Sequence, residues 1–395
     1  MKLFKSLLVA PATLGLLAPM SATANELNLA DVSGYSSSEE VQNISEFYPK
    51  ELAVTNSRVD GLEARMNEFE AGGFTDTTVA SFGADFVIGQ VDGAGTTTSA
   101  REEAVMFSYQ YGMTLSSSFT GEDSLDLVIE TGNGAGPAAT ILDMNGTGFT
   151  DNMVLDGITY SFPIGDKVTI LVGDSTDVSS VYTGACAYSA FTDRLGDCGT
   201  GTSAGLGGGT DDARTASSAT IAASVDLGNG FTVAGGFSSA GGDTDGLFTA
   251  ESEDVYGAQV AYSGDNYGVA LSYAMTETTT TTESTFWGFN AFYEFESEAL
   301  PSVSFGFETE DTATTTADGY MVGLSWDSVG PGSASLGVST TGNFVDTATE
   351  TLIYEASYSY PVNDNITVTP GIFLQEDNGE TGDDTGFIVV TNFSF

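Results

Sequence analysis

The chain has 395 residues, 9 basic against 55 acidic, two cysteines and no histidine. With so little positive charge it has no footprint for nucleic acid. Without histidine, imidazole metal sites and every triad that relies on a histidine base are excluded, and no cofactor is expected. The acidity has two readings, solubility in salty surroundings or a field that gathers cations, and composition alone leaves both open.

Residues 1–24 have the form of a secretory signal: Lys2 and Lys5, a short apolar run from Leu7 to Leu17, then Ala22-Thr23-Ala24. Its removal would leave 7 basic residues against 55 acidic, a formal charge of −48. No other apolar stretch approaches the twenty or so residues of a spanning helix. Residues 25–50, rich in Ser, Glu and Asn, read as a flexible leader. Over 51–73 the apolar spacing alternates between three and four, at Leu52, Thr55, Val59, Leu62, Met66 and Phe69, and Ala71-Gly72-Gly73 ends the run. This predicts a short α-helical coil. A helix of that length is marginal alone, so it should pack on copies of itself or on the rest of the chain.

From residue 75 the period becomes two. In Val105–Leu115 the odd positions are apolar or aromatic, while the even ones after Met106 are Ser, Gln, Gly and Thr. Alternation of this kind gives a strand one face for lipid and one for water. It recurs to the end, where Phe387, Val389, Phe393 and Phe395 share a face. Short turns such as Gly165-Asp166, Gly228-Asn229-Gly230 and Asn363-Asp364-Asn365 alternate with long acidic, Thr- and Gly-rich connections. Sheet edges cannot face lipid. The expectation is therefore an all-β transmembrane antiparallel barrel of about 16 strands over 75–395, in a bacterial outer membrane, with the coil in the periplasm. The weak run at 333–340 leaves 14 or 18 strands open.

The longest connection, about 175–215, holds Cys186 and Cys198 with Asp193, Arg194 and Asp197 near them. A 16-stranded barrel is wide enough for an aqueous channel, so this loop is the natural candidate for a constriction, the other reading being a surface loop that shields the rim. Two close cysteines in an exported loop predict a disulfide, stabilising by roughly 3 kcal/mol in the chain-entropy model; a metal pair would lack further ligands. Strand parity turns Asp126, Glu130, Glu294, Glu308, Asp327 and Glu355 inward, against Lys167 and Arg214. Such a lumen should favour cations, unless these groups are hydrated at strand ends and screened by salt. Phe286 and Phe373 also turn inward. No catalytic constellation is present: Asp211-Asp212 has no nucleophile or base beside it, and Gly205–Gly209 lacks the strand and helix of a nucleotide site. The expected partners are membrane lipid, small hydrophilic solutes and cations.

Several stretches resemble the cyanobacterial outer-membrane porins related to the carbohydrate-selective OprB family, also called iron-uptake porins. They are Glu26-Leu27-Asn28-Leu29, Val32–Ser36, Glu40–Phe47, Arg58–Met66 followed by Glu68–Ala71, Phe74-Thr75, and Ser118–Asp123. The resemblance implies a passive porin, carbohydrate or iron passage, and a homotrimer joined through Leu52, Val59, Leu62, Met66 and Phe69. It departs in one respect. Phe47 leads almost directly to Lys50-Glu51-Leu52, where the family carries a surface-layer-homology domain. The resemblance therefore does not extend cell-wall anchoring to this chain.

Overall fold

The computed structural model describes residues 77–92, 104–133, 151–192, 218–240, 253–279, 282–297, 299–341, 344–345, 349–376 and 382–395, with 138, 141, 142, 144, 242 and 246–249 between them. The signal, leader and coil expected over 1–73 lie outside the described residues, as do Asp193, Arg194, Asp197, Cys198 and Arg214.

The described residues form one antiparallel sheet. Its strands are β1 (Thr78–Asp92), β2 (Met106–Ser117), β3 (Ser124–Gly132), β4 (Val154–Ile164), β5 (Val168–Asp174), β6 (Ser218–Gly228), β7 (Phe231–Ala240), β8 (Glu253–Ser263) and β9 (Tyr267–Thr279). They continue as β10 (Thr282–Tyr293), β11 (Ser302–Thr312), β12 (Thr316–Val329), β13 (Gly332–Thr340), β14 (Phe344–Val345), β15 (Leu352–Asn363), β16 (Ile366–Gln375) and β17 (Asp384–Ser394). Sixteen of them pair in sequence order and close when β17 meets β1, from Gly83↔Ser394 to Asp92↔Thr385. The two-residue β14 is an addition that pairs with β12 beside β13. Closure leaves no edge, as an all-β sheet in lipid requires. The weak run at 333–340 is a true strand, paired on both sides by β12 and β15.

Alternation sorts the side chains. Phe107 is 55% exposed on the outside, whereas its neighbour Ser108 is 4% exposed inside. The outward positions of paired strands stack rings across the sheet: Phe86 lies 5.8 Å from Phe107 and 5.6 Å from Phe393. Near the short turns, Tyr262 sits 4.8 Å from Phe231 and 5.3 Å from Tyr267. Such pairs contribute about 0.5–1.5 kcal/mol each beyond burial, and rings at strand ends suit the interface of a bilayer. At the seam, Phe82 and Phe395 stack at 5.6 Å, and their backbones exchange bonds of 2.8 and 3.0 Å.

The turns explain the strict hairpin geometry on one side. In Gly228-Asn229-Gly230 all three residues have positive φ, which glycine and asparagine adopt at little strain. A Cβ on Gly230 would lie 2.3 Å from the Ser263 carbonyl oxygen. In the turn between β2 and β3, Asp123 takes the place of a hairpin dipeptide. Its Oδ1 accepts from the Ser118 and Thr120 hydroxyls and from the amides of Phe119 and Thr120, and its Oδ2 accepts from Tyr160 Oη. Burial opposes the charge of Asp123, but these donors outweigh it and hold its carboxyl well below the usual carboxylate range.

Candidate functional site

The long connection between β5 and β6 turns into the barrel. It begins with a 3-10 turn, Val178–Val181, whose Val178 is fully buried against the wall. The chain then crosses the lumen, bonding to inward groups of successive strands. The Thr183 amide donates to Gln259 Oε1 on β8 at 2.8 Å, and the Thr183 hydroxyl meets that of Thr232 on β7 at 2.6 Å. The Ala187 amide donates to Ser304 Oγ on β11 at 2.9 Å. The crossing ends on Glu355 of β15. There Tyr188 Oη and the Phe191 amide donate to Oε1 at 2.5 and 2.7 Å, and the Thr192 amide and hydroxyl donate to Oε2 at 2.8 and 2.5 Å. Burial, the Glu355 charge and this bond push the Tyr188 hydroxyl far above its ordinary value, so it stays a donor.

The wall is shaped for this loop. A Cβ on Gly257 of β8 would lie 2.4 Å from Tyr182 Oη, one on Gly323 of β12 would lie 2.2 Å from Tyr188 Cγ, and one on Gly371 of β16 would lie 2.2 Å from Phe191 Cε1. Each glycine leaves room for one ring of the loop. Tyr188 also joins a buried apolar cluster with Val87, Met321, Ile353, Phe373 and Ile388 of the inner wall. Ala138, Ile141 and Met144, from the connection between β3 and β4, belong to the same cluster. Two outer connections thus pack inside the barrel.

The inward groups named from sequence separate into three kinds. Glu308 and Glu355 are 2% and 4% exposed; Glu308 stands opposite Gly288 and Gly319 on its two neighbours. Glu294 and Lys167 are exposed in the turns after β10 and before β5, at the barrel's end, and Asp327 is exposed near the end of β12. Asp126 and Glu130 sit half-exposed on β3. One oxygen of Glu130, Oε2, is buried and has no hydrogen-bond partner among the described residues. Phe286 and Phe373 are buried inside. Cys186 is disulfide-bonded.

Inward carboxylates that the sequence reading did not name include Asp85 and Asp156. Asp85 on β1 accepts from Gln110 Nε2 and Asn392 Nδ2, both at 2.6 Å. Its signal was available, since it alternates with Ala84 and Phe86. Asp156 is the extra residue of a bulge where Val128 pairs with Gly157 and Ile129 with Leu155. That bulge sets its carboxylate in the field of Glu130 and could not be placed from the pattern alone. Beneath the loop, a cavity of about 370 Å³ is walled by hydroxyls, among them Ser325, Ser333, Ser335, Ser357 and Ser359, with Asp327 at its margin. Among the described residues no group of three or more Cys, Asp or Glu could hold a metal ion, and no helix is long and apolar enough to cross a membrane.

No family model matches the sequence. A stretch is similar to the uncharacterized protein alr4550 of Nostoc sp. (strain PCC 7120 / SAG 25.82 / UTEX 2576), 31% identical over 140 residues, 32% of this chain. That stretch spans about a quarter of the relative's length, 24%. The fold is similar to Pseudomonas putida OprB, with a TM-score of 0.60 at 12% identity over 81% of this chain and 94% of that one. It is similar also to a mutant of Rh. blastica porin, with a TM-score of 0.53 at 14% identity over 80% of this chain and all of that one. At such identities the likeness is one of fold, and by its fold the chain is a porin-like, closed 16-stranded antiparallel barrel.

Proposed function

We propose that the protein is a passive diffusion channel of a bacterial outer membrane, admitting small hydrophilic solutes and inorganic ions, with a preference for cations. The observation that carries this reading is the loop docked within the lumen beside a wall of half-exposed polar and acidic groups. A barrel of this size without a loop would not discriminate; one with a fixed loop has a defined passage. The outward apolar face and its rings supply the lipid contact. The family resemblance adds carbohydrate or iron as cargo. No catalytic step is assigned to any residue.

The test is planar-bilayer recording on the purified barrel. Discrete conductance steps with a reversal potential on the cation side of a KCl gradient support the proposal. A silent bilayer at protein amounts that insert fully would reject it. The apolar cluster that two outer connections build inside the barrel favours a second reading, a structural protein with a plugged lumen, and the silent result would select it.

Two further parts of the proposal rest on residues beyond those described. Cys186 pairs with Cys198, the second cysteine of a chain that has two; oxidation of Cys186 supports this. Intact mass with and without reductant checks it, a gain of two hydrogen atoms on reduction being the expected result. The coil over 51–73 holds a homotrimer together, and Leu62→Asp should lower the oligomer mass seen in mild detergent.

A further inference from the structure

We infer that the passage runs off-centre, along the inner faces of β1 to β4, and that its selectivity belongs to Asp85, Asp126, Glu130 and Asp156 rather than to the buried Glu308 and Glu355. This rests on the channel reading above. The described part of the loop docks on β7, β8, β11 and β15. On the side it crosses, several inward polar groups are closed off: Gln259, Ser272, Asn290, Ser304, Glu308 and Glu355 are buried, while Glu310 keeps partial exposure and the serine hydroxyls line the cavity beneath the loop. Three of the buried groups hold the loop directly, Gln259, Ser304 and Glu355. A carboxylate that a hydrated ion cannot approach contributes little to selection between ions, because the ion must shed water to reach it.

The opposite wall is covered at the level of Val87 and Ser108 but differs over the rest of its length. On β2 every inward residue from Gln110 to Ser116 keeps partial exposure, as do Asp126 and Glu130 on β3, and Asp156 on β4 is exposed. The register stacks these groups down one wall. Asp85 stands opposite Gln110, Glu130 opposite Gly112, and Asp126 opposite Ser116. From Gln110 to Ser116 the strand descends about 20 Å at 3.4 Å per residue. Gly112 adds no side chain between the carboxylates, and the Asp156 bulge adds a second charge at the level of Glu130. Asp85 is fixed by two amide donors, so its charge holds one position. Among the described residues no lysine or arginine lies on this face: Lys167 sits in an exposed turn at the barrel's end. The geometry is a series of acidic steps along a partly exposed wall, with Oε2 of Glu130 itself buried.

Reversal potentials of the full barrel in a KCl gradient test this. Asp85→Asn, Glu130→Gln and Asp156→Asn should each lower the K⁺/Cl⁻ permeability ratio about two-fold, with the triple variant lowest, while high-salt conductance is kept. A second measurement guards against misfolded variants: Glu130→Cys and Asp126→Cys should be modified by a cationic, membrane-impermeant thiol reagent during recording, with a stepwise fall in current. A conducting, cation-selective barrel whose reversal potential ignores the stripe but follows Glu308→Gln would overturn the off-centre passage and leave the channel reading standing. So would unreactive thiols at 126 and 130. A wild-type barrel that never conducts would defeat the channel reading itself.

Discussion

Single residues decide how the sheet turns and how its interior is filled. Asp123 gathers five donors into one turn, and Asp123→Asn should lower the temperature at which the barrel opens, read by its heat-shifted mobility on a gel. Its folded pKa is depressed. Its stabilisation is therefore fully present above the unfolded value near 3.9 and is lost as pH falls through the lower folded value. Between pH 5 and 8 wild type and variant should differ by a constant amount, and the gap should narrow only in strong acid. Gly371 acts by what it lacks. Gly371→Leu would drive its side chain into the Phe191 ring, and the expected result is a displaced loop with larger and noisier single-channel steps; unchanged steps would show that the loop end does not limit flow. Gly323→Leu, beneath Tyr188, should do the same.

Whole elements report the balance between pattern and context. Labels at Met113 and Thr114 should separate cleanly, the first quenched by a lipid-soluble reagent and the second by an aqueous one. Met113 pairs with the outward Phe82 and Thr114 with the inward Ser81. Equal quenching at both would contradict the register of β2. Strand positions of this kind were legible because alternation is a local property: every strand from β1 to β17 except the two-residue β14 appears in the sequence as a run of alternating residues, with ends within a few positions. What alternation cannot say is what covers an inward side chain. Glu355 and Asp126 look alike as letters, both inward on apolar strands. One is buried under four donors of a loop more than 160 positions away, and the other stays half in water. The glycines at 257, 323 and 371 likewise read as weak points in strands until the rings that fill them are in place. The loop's fixed position follows from these contacts. Glu355→Ala would strand four donors, each unsatisfied buried group costing about 1–3 kcal/mol, and should release the loop, seen as new protease cleavage between 175 and 192.

At the scale of the molecule, charge and closure dominate. An acidic passage that works through water loses its preference as salt rises. From 0.1 to 1 M the Debye length falls from about 10 Å to about 3 Å, so the K⁺/Cl⁻ permeability ratio should approach the ratio of the free mobilities. A ratio independent of salt would point instead to a dehydrated narrow gate. Closure has a different consequence, and it concerns time. The bonds that join β1 to β17 link residues such as Asp85 and Asn392, 307 positions apart. Neither of those strands can find its partner until the other has been made, and every hairpin between them is local by comparison. The first strand must therefore wait, with one side of its backbone unpaired and its aromatic face bare, while fifteen neighbours are laid down. Whatever holds that open edge in the interval must be able to let go of it when Phe395 arrives beside Phe82.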